Sequence, residues 1–301
     1  MRTSIISLLL SGLCACSQAP REAPSATIAF VDVNVVPMDE EHVLSHQTVI
    51  VEAGRITHIG AADQTELPED AQVIDGTDSY LMPGLADMHV HASKEDFLLY
   101  VAAGVTTMQE SFMQIDQGHF DELRKQPAMR YVSPEIMAWW TDFAQGSSHP
   151  PPSHNAEQGA NHGKQGNAGG GFYSFQVRLV KGLHEAGVPI LAGTDTPNPA
   201  MVPGFSLHEE LRNLVQAGLT PYEALAAATR DAATFLQASD EWGTIAVGKR
   251  ADLILLAANP LENVTHTTNR LGVMVNGQWF SQAQLQRMLD AYASSLAETP
   301  Q

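Results

Sequence analysis

The sequence predicts an α/β fold in which a small antiparallel β unit precedes a parallel α/β unit. Residues 27–82 contain short runs in which apolar and polar residues alternate, a pattern typical of half-buried strands. Residues 84–109 read as an apolar strand, a helical segment and a second strand, which is the order of a β-α-β unit. A hairpin signal at Asn276-Gly277 predicts two further strands near the end of the chain.

The individual elements follow from local patterns. Val31, Val33 and Val35 alternate with polar residues, so they predict a strand with one buried face. Residues 54–60 alternate between two glycines, which indicates a strand after a tight turn. Thr220 and Glu223 have the spacing of a capping box. The later predicted elements are a loop without secondary structure at 146–171, helices at 172–186, 206–217, 220–229 and 231–238, strands at 188–192, 253–256 and 273–275, and a terminal helix from 281.

Composition and charge exclude some classes of function. The chain has 301 residues, of which 44% are hydrophobic and 17% charged, as in a globular protein. Its formal net charge is -18, from 34 acidic and 16 basic residues. Binding to nucleic acid or to anionic lipid needs clustered lysine and arginine, so neither is expected. The plain interpretation of the negative charge is solubility.

The first residues predict export from the cytoplasm. Arg2 precedes a short apolar run at 5–13, which is too short to span a bilayer. The run leads to Cys16 in a context that resembles a bacterial lipobox, which implies cleavage before Cys16 and lipid attachment to its sulfur; the alternative is an ordinary secretory signal. We therefore predict a signal segment at 1–16, a linker at 17–26, and a location in the bacterial cell envelope, as an outer-membrane lipoprotein or in the periplasm.

The cysteine count restricts the chemistry of any metal site. Both cysteines, Cys14 and Cys16, lie in the predicted signal segment. The remaining chain can form no disulfide and offers no thiolate as ligand or nucleophile. A metal would have to be held by histidine, aspartate, glutamate or modified lysine.

His89 and His91 are the first candidate ligands. Alternate residues of a strand point to the same side, so both imidazoles can reach one ion. The ordinary alternative is a hydrogen-bonded pair near a turn. Asp195 is the second candidate, because it follows a predicted strand and a carboxylate there can bind metal and accept a proton from bound water. A turn or helix-capping role is its alternative.

Four segments of the chain carry motifs in a defined order. They read LMPGLADMHVH at 81–91, LAGTD at 191–195, AGLTPYEAL at 217–225 and GTIAVGKRADL at 243–253. In this order they resemble the amidohydrolase superfamily, closest to its imidazolonepropionase-like and prolidase-like branch. Residues 81–91 look like the first strand of the family's barrel, and residues 191–195 look like its eighth. The resemblance covers roughly residues 27–111 and 172–280.

The resemblance implies a (β/α)8 TIM-like barrel with a small composite β-sandwich domain from both chain ends. It implies one or two divalent ions, commonly zinc, held here by His89, His91 and Asp195, and these ligands support one ion. Asp195 would also be the general base in hydrolysis of an amide-like C–N bond by metal-activated water. The implied substrates are dipeptides, N-acyl amino acids or cyclic amides. The implied domains are a sandwich at 27–82 and 244–280, a barrel at 83–243, and a C-terminal helix and tail at 281–301.

The chain departs from the family between its outer ligands. Only 103 residues separate His91 from Asp195. Seven β-α units of about 25 residues would need about 175. The sequence therefore predicts an incomplete barrel without the middle strands and their ligands. Its exposed sheet edges would need pairing with another chain, as in a homo-oligomer, or a rearranged fold. The alternative to an active hydrolase is a catalytically inactive, truncated, amidohydrolase-like exported protein.

The remaining histidines are weaker candidates. His208 lies on the helix after Asp195, so it could contact substrate or support a ligand; the alternative is a solvated helix face. His149, His154 and His162 lie in the loop at 146–171 and could chelate metal loosely as a group. A metal-scavenging protein that uses this loop is a third interpretation.

Overall fold

The computed structural model describes residues 26–110, 168–196 and 201–298, together with residue 138. Most of the described strands belong to one eight-stranded sheet with the order β10-β9-β8-β5-β1-β2-β3, in which β4 also pairs with β1. The strands of this composite sheet are β1 (Ile28–Val35), β2 (Leu44–Glu52), β3 (Arg55–Ala61), β4 (Gln72–Asp75), β5 (Tyr80–Pro83), β8 (Leu253–Leu256), β9 (Arg270–Val275) and β10 (Gln278–Ser281).

The two chain ends meet where β5 pairs with β8. The two strands are antiparallel, with Leu81 opposite Leu255 and Pro83 opposite Leu253. The predicted strand at Val31–Val35 is confirmed as part of β1, and Val33 and Val35 are fully buried. Their apolar side chains join a cluster that spans both chain ends and includes Phe30, Leu81 and Met274. The composite sheet is therefore stabilised mainly by burial of apolar side chains.

The hairpin between β9 and β10 turns at the predicted dipeptide. Asn276 and Gly277 both have positive φ, 48° and 79°, as a two-residue hairpin turn of this type requires. A Cβ on Gly277 would lie 2.5 Å from the Cα of Gly54, so the turn also needs glycine for close packing against another loop.

A separate parallel pair begins directly after β5. Strand β6 (Leu85–Val90) leads through a short 3-10 helix and α1 (Phe97–Ala102) to β7 (Val105–Glu110). Leu85 is in register with Val105, and the two strands are parallel. The β-α-β unit predicted from the sequence is confirmed. Among the described residues this sheet has two strands and is not closed.

The helices pack around this pair. Helix α3 (Ser206–Gln216) buries Leu207, His208, Leu211 and Leu214, which recur on one face at helical spacing. The capping box of helix α4 (Pro221–Ala227) is confirmed. The Glu223 backbone N–H donates to the Thr220 hydroxyl at 3.2 Å, and the Thr220 N–H donates to the Glu223 carboxylate at 2.7 Å. The helices after α1 are α2 (Ala168–Glu185), α3 (Ser206–Gln216), α4 (Pro221–Ala227), α5 (Arg230–Phe235) and α6 (Gln282–Glu298).

Two sequence predictions differ from the structure. Helix α2 begins at Ala168, so the end of the loop predicted at 146–171 is helical; its glycines extend the helix despite their low propensity. The predicted strand at 188–192 has no ladder of its own, and only Thr196 forms a bridge, to Val90. Ala192 instead accepts a backbone hydrogen bond from Met88 of β6 and donates one to Ala227, so its partners do not lie on one strand.

The composite sheet agrees with a β unit built from both chain ends. Its strand pairing forms one continuous sheet, so a two-layer sandwich and an incomplete barrel stay predictions. The predicted signal segment, with Cys14 and Cys16, lies outside the described residues. Within the described ranges, no helix combines the length and apolar character needed to cross a bilayer.

Candidate metal centre

Strand β6 presents two histidines at its carboxyl end. Residues Met88 and Val90 are buried, whereas His89 is exposed and His91 is partly buried just beyond the strand. This alternation is the two-residue period of a strand, and it sends both imidazoles to one side. The two side chains lie on one side of the strand, as their spacing predicts. Their ring centroids are 5.4 Å apart, and the angle between the ring planes is 86°.

Asp195 reaches the same place because its segment runs alongside β6. The Asp195 N–H donates to the His89 carbonyl at 2.7 Å, and the His91 N–H donates to the Thr196 carbonyl at 2.7 Å. These bonds flank the parallel bridge between Val90 and Thr196. A Cβ at Gly193 would stand 3.0 Å from the His89 Cβ, so glycine permits this close approach.

The three side chains converge on one point. The Nε2 atoms of His89 and His91 each lie 3.1 Å from Oδ1 of Asp195. One ligand atom from each of the three residues lies within 4.8 Å of the other two. The side chains of His89, His91 and Asp195 are 50%, 31% and 55% exposed, respectively, so water can reach the cluster.

The donor set fits a divalent metal. Tetrahedral zinc with nitrogen and oxygen ligands at about 2.0–2.2 Å keeps those ligands about 3.3–3.6 Å apart, and the observed separations of 3.1 Å are slightly shorter than this. Two imidazoles, one carboxylate and a water satisfy the coordination of catalytic zinc. The residues that would hold the ion are therefore His89, His91 and Asp195.

A buried carboxylate joins the two segments that carry the ligands. Asp87 is fully buried on β6, two residues before His89. Its Oδ1 accepts the Thr194 backbone N–H at 2.9 Å, and its Oδ2 accepts the Thr194 hydroxyl at 2.6 Å. The His89 N–H donates to Oδ1 at 3.4 Å. Asp87 therefore connects β6 to the residue directly before Asp195.

The electrostatics beneath the cluster are acidic. Burial raises the pKa of Asp87, while the hydrogen bonds from Thr194 and His89 act against that rise. Burial also raises the pKa of Glu210 on α3 to about 7, and the nearby negative charge of Asp87 adds to the effect. Two carboxyl groups thus lie within electrostatic range of each other on the buried side of the cluster.

The sequence interpretation did not assign Asp87, Thr194 or Glu210 to the site. Asp87 had a usable signal, because Asp87, His89 and His91 alternate along β6 and therefore share one side of the strand. Thr194 and Glu210 had none, because their proximity to Asp87 depends on contacts between distant segments.

His208 lies in the protein interior, not on a solvated helix face. It is only 6% exposed. Its Nδ1 lies 2.8 Å from the Thr267 hydroxyl, and its Nε2 lies 2.9 Å from Arg270 Nη1 and 3.0 Å from the Ala103 carbonyl oxygen. Burial and the charge of Arg270 lower the pKa of His208 to about 3. These contacts give His208 a structural role in packing α3 against the core. Its contact with substrate stays a prediction.

The remaining histidines do not join the cluster in the described part of the chain. His184 on α2 lies 3.7 Å from a carboxylate oxygen of Glu223. His149, His154 and His162 lie outside the described residues, so the loop interpretation stays untested. Within the described part of the chain, His89, His91 and Asp195 are the group of three or more ligating residues that meets in space.

Comparison with known proteins agrees with the motifs. Residues 174–280 match the model of the amidohydrolase family. An imidazolonepropionase from Geobacillus sp. (strain WCH70) is 45% identical over 86 residues, which cover 28% of this chain. The aligned stretch covers 20% of that relative, so the chain spans about a fifth of its length.

Solved structures share the overall α/β fold. A structure from Bifidobacterium longum assigned as a prolidase aligns with a TM-score of 0.62 at 21% identity, over 90% of this chain and 100% of its own. A Xaa-Pro dipeptidase with bound methionine in its active site aligns with a TM-score of 0.58 at 15% identity, over 85% of this chain and 100% of its own. The predicted resemblance to amidohydrolases, including imidazolonepropionase, is confirmed by the family-model match and this relative, and the prolidase structures share the fold.

Proposed function

We propose that this protein is a metal-dependent hydrolase that cleaves an amide-like C–N bond in a small molecule or dipeptide. The observation that carries the proposal is the convergence of His89 and His91 on one carboxylate oxygen of Asp195, each at 3.1 Å. The amidohydrolase family match at 174–280 and the prolidase-like fold support the reaction class. Zinc is the ion that best suits two imidazoles and a carboxylate.

The roles of the residues follow from their donor atoms. A divalent ion in such a site lowers the pKa of water and polarises a carbonyl. His89 and His91 supply neutral nitrogen donors from one rigid strand, which holds them at a constant separation. Asp195 has two carboxylate oxygens, so Oδ1 can face the ion while Oδ2 accepts a proton from the attacking water.

A catalytically inactive protein is the second candidate. It is favoured by the short span of 103 residues between His91 and Asp195, against about 175 for seven complete β-α units. In that case the three side chains would be a remnant, and the 3.1 Å contacts would be imidazole N–H groups that donate to a carboxylate.

Metal content separates these candidates. The full chain is purified in zinc-containing buffer, dialysed, and measured by elemental analysis beside His89→Gln and Asp195→Asn. Asparagine suits the left-handed backbone of Asp195, so this variant changes the charge with little change in conformation. His58→Gln is the matched control, because His58 is an exposed histidine on β3 of the composite sheet.

We expect about one equivalent of zinc in the wild type and in His58→Gln. We expect less than a tenth of an equivalent in His89→Gln and Asp195→Asn. Less than a tenth of an equivalent in the wild type would contradict the metal site. Zinc binding without hydrolysis of Xaa-Pro dipeptides, N-acyl amino acids and cyclic amides would select the inactive candidate.

Export and lipid attachment at Cys16 are part of the proposal. Metabolic labelling with a radioactive fatty acid should mark the full chain and not Cys16→Ser. An unlabelled but shortened, periplasmic wild type would select the ordinary secretory signal instead. A homo-oligomer, expected from the short barrel, is measured by light scattering on the same preparation.

A further inference from the structure

The backbone of Asp195 adopts a left-handed conformation, with a φ of 60°. Aspartate enters this region more readily than most residues with a Cβ, but the conformation is still less favourable than a right-handed one. The conformation is needed where it occurs, because the carboxylate meets both imidazoles while the Asp195 N–H still bonds to the His89 carbonyl at 2.7 Å. Contacts made by the neighbours of Asp195 can therefore stabilise this turn.

The two neighbours of Asp195 are held by buried hydroxyl groups. Thr194 is 7% exposed and Thr196 is fully buried. The Thr194 hydroxyl has a single hydrogen, and the 2.6 Å contact directs it to Oδ2 of Asp87. The Thr196 hydroxyl lies 3.2 Å from the Thr194 hydroxyl and 2.8 Å from the hydroxyl of Tyr100. Asp87 is thus the acceptor at the end of a hydroxyl chain that begins on α1.

Asp87 also holds the Thr194 backbone directly. Its Oδ1 accepts a hydrogen bond from the Thr194 N–H at 2.9 Å, so both oxygens of the Asp87 carboxylate accept hydrogen bonds from Thr194. An unpaired backbone N–H at this buried position would be costly. Asp87 lies on β6, which also carries His89 and leads directly to His91. Its bonds to Thr194 therefore fix the position of Thr194 relative to both histidines.

We propose that Asp87 is a positioning residue for the candidate metal site: through Thr194 it holds Asp195 in the left-handed conformation that directs its carboxylate to His89 and His91. The inference rests on the proposed metal-binding function. Asp87 is not assigned as a ligand or a proton carrier, and its effect on metal affinity passes through the geometry of Asp195.

The test compares zinc affinity and stability in four variants. Thr194→Val removes the hydroxyl, keeps the backbone N–H and preserves the shape of the side chain. Thr194→Ser restores the hydroxyl. Asp87→Asn keeps one acceptor oxygen and directs an amide group at the other donor. Thr267→Val is the matched control, because Thr267 is a fully buried, hydrogen-bonded threonine of the 3-10 helix at Val264–Thr268.

Zinc affinity is measured by competition with a chromophoric chelator, and cobalt(II) absorption reports coordination geometry. Loss of a group that orients a ligand commonly lowers metal affinity about 10- to 100-fold. We expect such a loss in Thr194→Val and Asp87→Asn, with an altered cobalt spectrum, recovery to within about threefold in Thr194→Ser, and wild-type affinity in Thr267→Val even if that variant is less stable.

The outcomes separate this proposal from the proposed function. A wild type that binds no zinc contradicts the metal site and the positioning role together. If the wild type binds zinc and the Thr194→Val and Asp87→Asn variants bind it with unchanged affinity, the positioning role alone is overturned. If Asp87→Asn does not fold, Thr194→Val and Thr194→Ser decide the result. A loss of zinc affinity in Thr267→Val equal to that in Thr194→Val would also overturn the proposal.

Discussion

The composite sheet and the candidate metal site are held by different forces. In the sheet, apolar side chains from both chain ends are buried together, and ladders of backbone hydrogen bonds join its strands. At the site, the segment that carries Asp195 is attached to β6 by one bridge, by three backbone hydrogen bonds with residues 88–91, and by the polar contacts of Asp87.

This difference teaches where each kind of substitution should act. Apolar burial is spread over many residues, so the sheet should lose stability in proportion to the volume removed. Polar contacts are few and directional, so the site should lose geometry when one of them is changed, with less effect on global unfolding. Stability and metal affinity should therefore respond to different residues.

The largest expected effect is in the sheet. Phe30 is fully buried and packs edge-on against Trp279, with ring centroids 5.2 Å apart. Phe30→Ala should lower the free energy of unfolding by about 3–5 kcal/mol. Phe235→Ala is the matched control, because Phe235 is 67% exposed, and it should change stability by less than about 0.5 kcal/mol. Urea unfolding measures both, and equal losses would contradict the comparison.

The next effect is a pH dependence where α3 meets β9. The pKa of His208 is lowered to about 3 in the folded protein from an ordinary value of 6.5. The unfolded chain therefore binds an extra proton between these values, and stability falls as pH drops below 6.5 by up to about 1.4 kcal/mol per pH unit. Between pH 7 and 4.5 we expect a loss of order 2–3 kcal/mol, measured by urea unfolding.

His208→Gln isolates this contribution from other titrating groups. The variant should start less stable at pH 7 and then lose about 2–3 kcal/mol less than the wild type on acidification. His58→Gln, on the exposed face of β3, should keep the full wild-type dependence. Parallel curves for wild type and His208→Gln would contradict the buried, neutral imidazole.

Glu210, which lies near Asp87, should give the stability of the fold the opposite dependence on pH. Its pKa is raised to about 7 in the folded protein from 4.5, so the folded state binds the extra proton between these values. Stability is then greatest in acid and falls as pH rises from 4.5 to 7. Glu210→Gln should remove this loss, which is about 1 kcal/mol between pH 5.5 and 7.5 after allowance for partial exposure. A loss of equal size in the variant would exclude Glu210 as its source.

The smallest effect is at the start of α4. The Thr220 hydroxyl accepts the Glu223 N–H at 3.2 Å, and the residue is exposed. Thr220→Ala should cost about 1 kcal/mol of unfolding free energy, and Thr220→Ser should recover most of it. Zinc affinity should be unchanged in both, because the cap touches neither the sheet core nor the ligands. A fall in affinity would show that the two regions are coupled through α4.

Local patterns in the sequence accounted for much of the fold. The alternation at Val31–Val35, the hairpin at Asn276-Gly277 and the cap at Thr220 each depend on neighbours within a few residues, and the structure confirms all three. The predicted strand at 188–192 was wrong, because apolar content alone does not reveal that its partner contacts are scattered along β6 and α4.

The candidate site divides in the same way. The sequence by itself determined that His89 and His91 point to one side, because a strand repeats every two residues. That Asp195 joins them across 103 intervening residues was implied by the family resemblance, and the tertiary structure brings it there. Tertiary structure alone decided that Asp87 binds Thr194 and that His208 is buried. These features depend on contacts between distant segments and on a left-handed backbone at Asp195, and neither leaves a periodic signal in the order of residues.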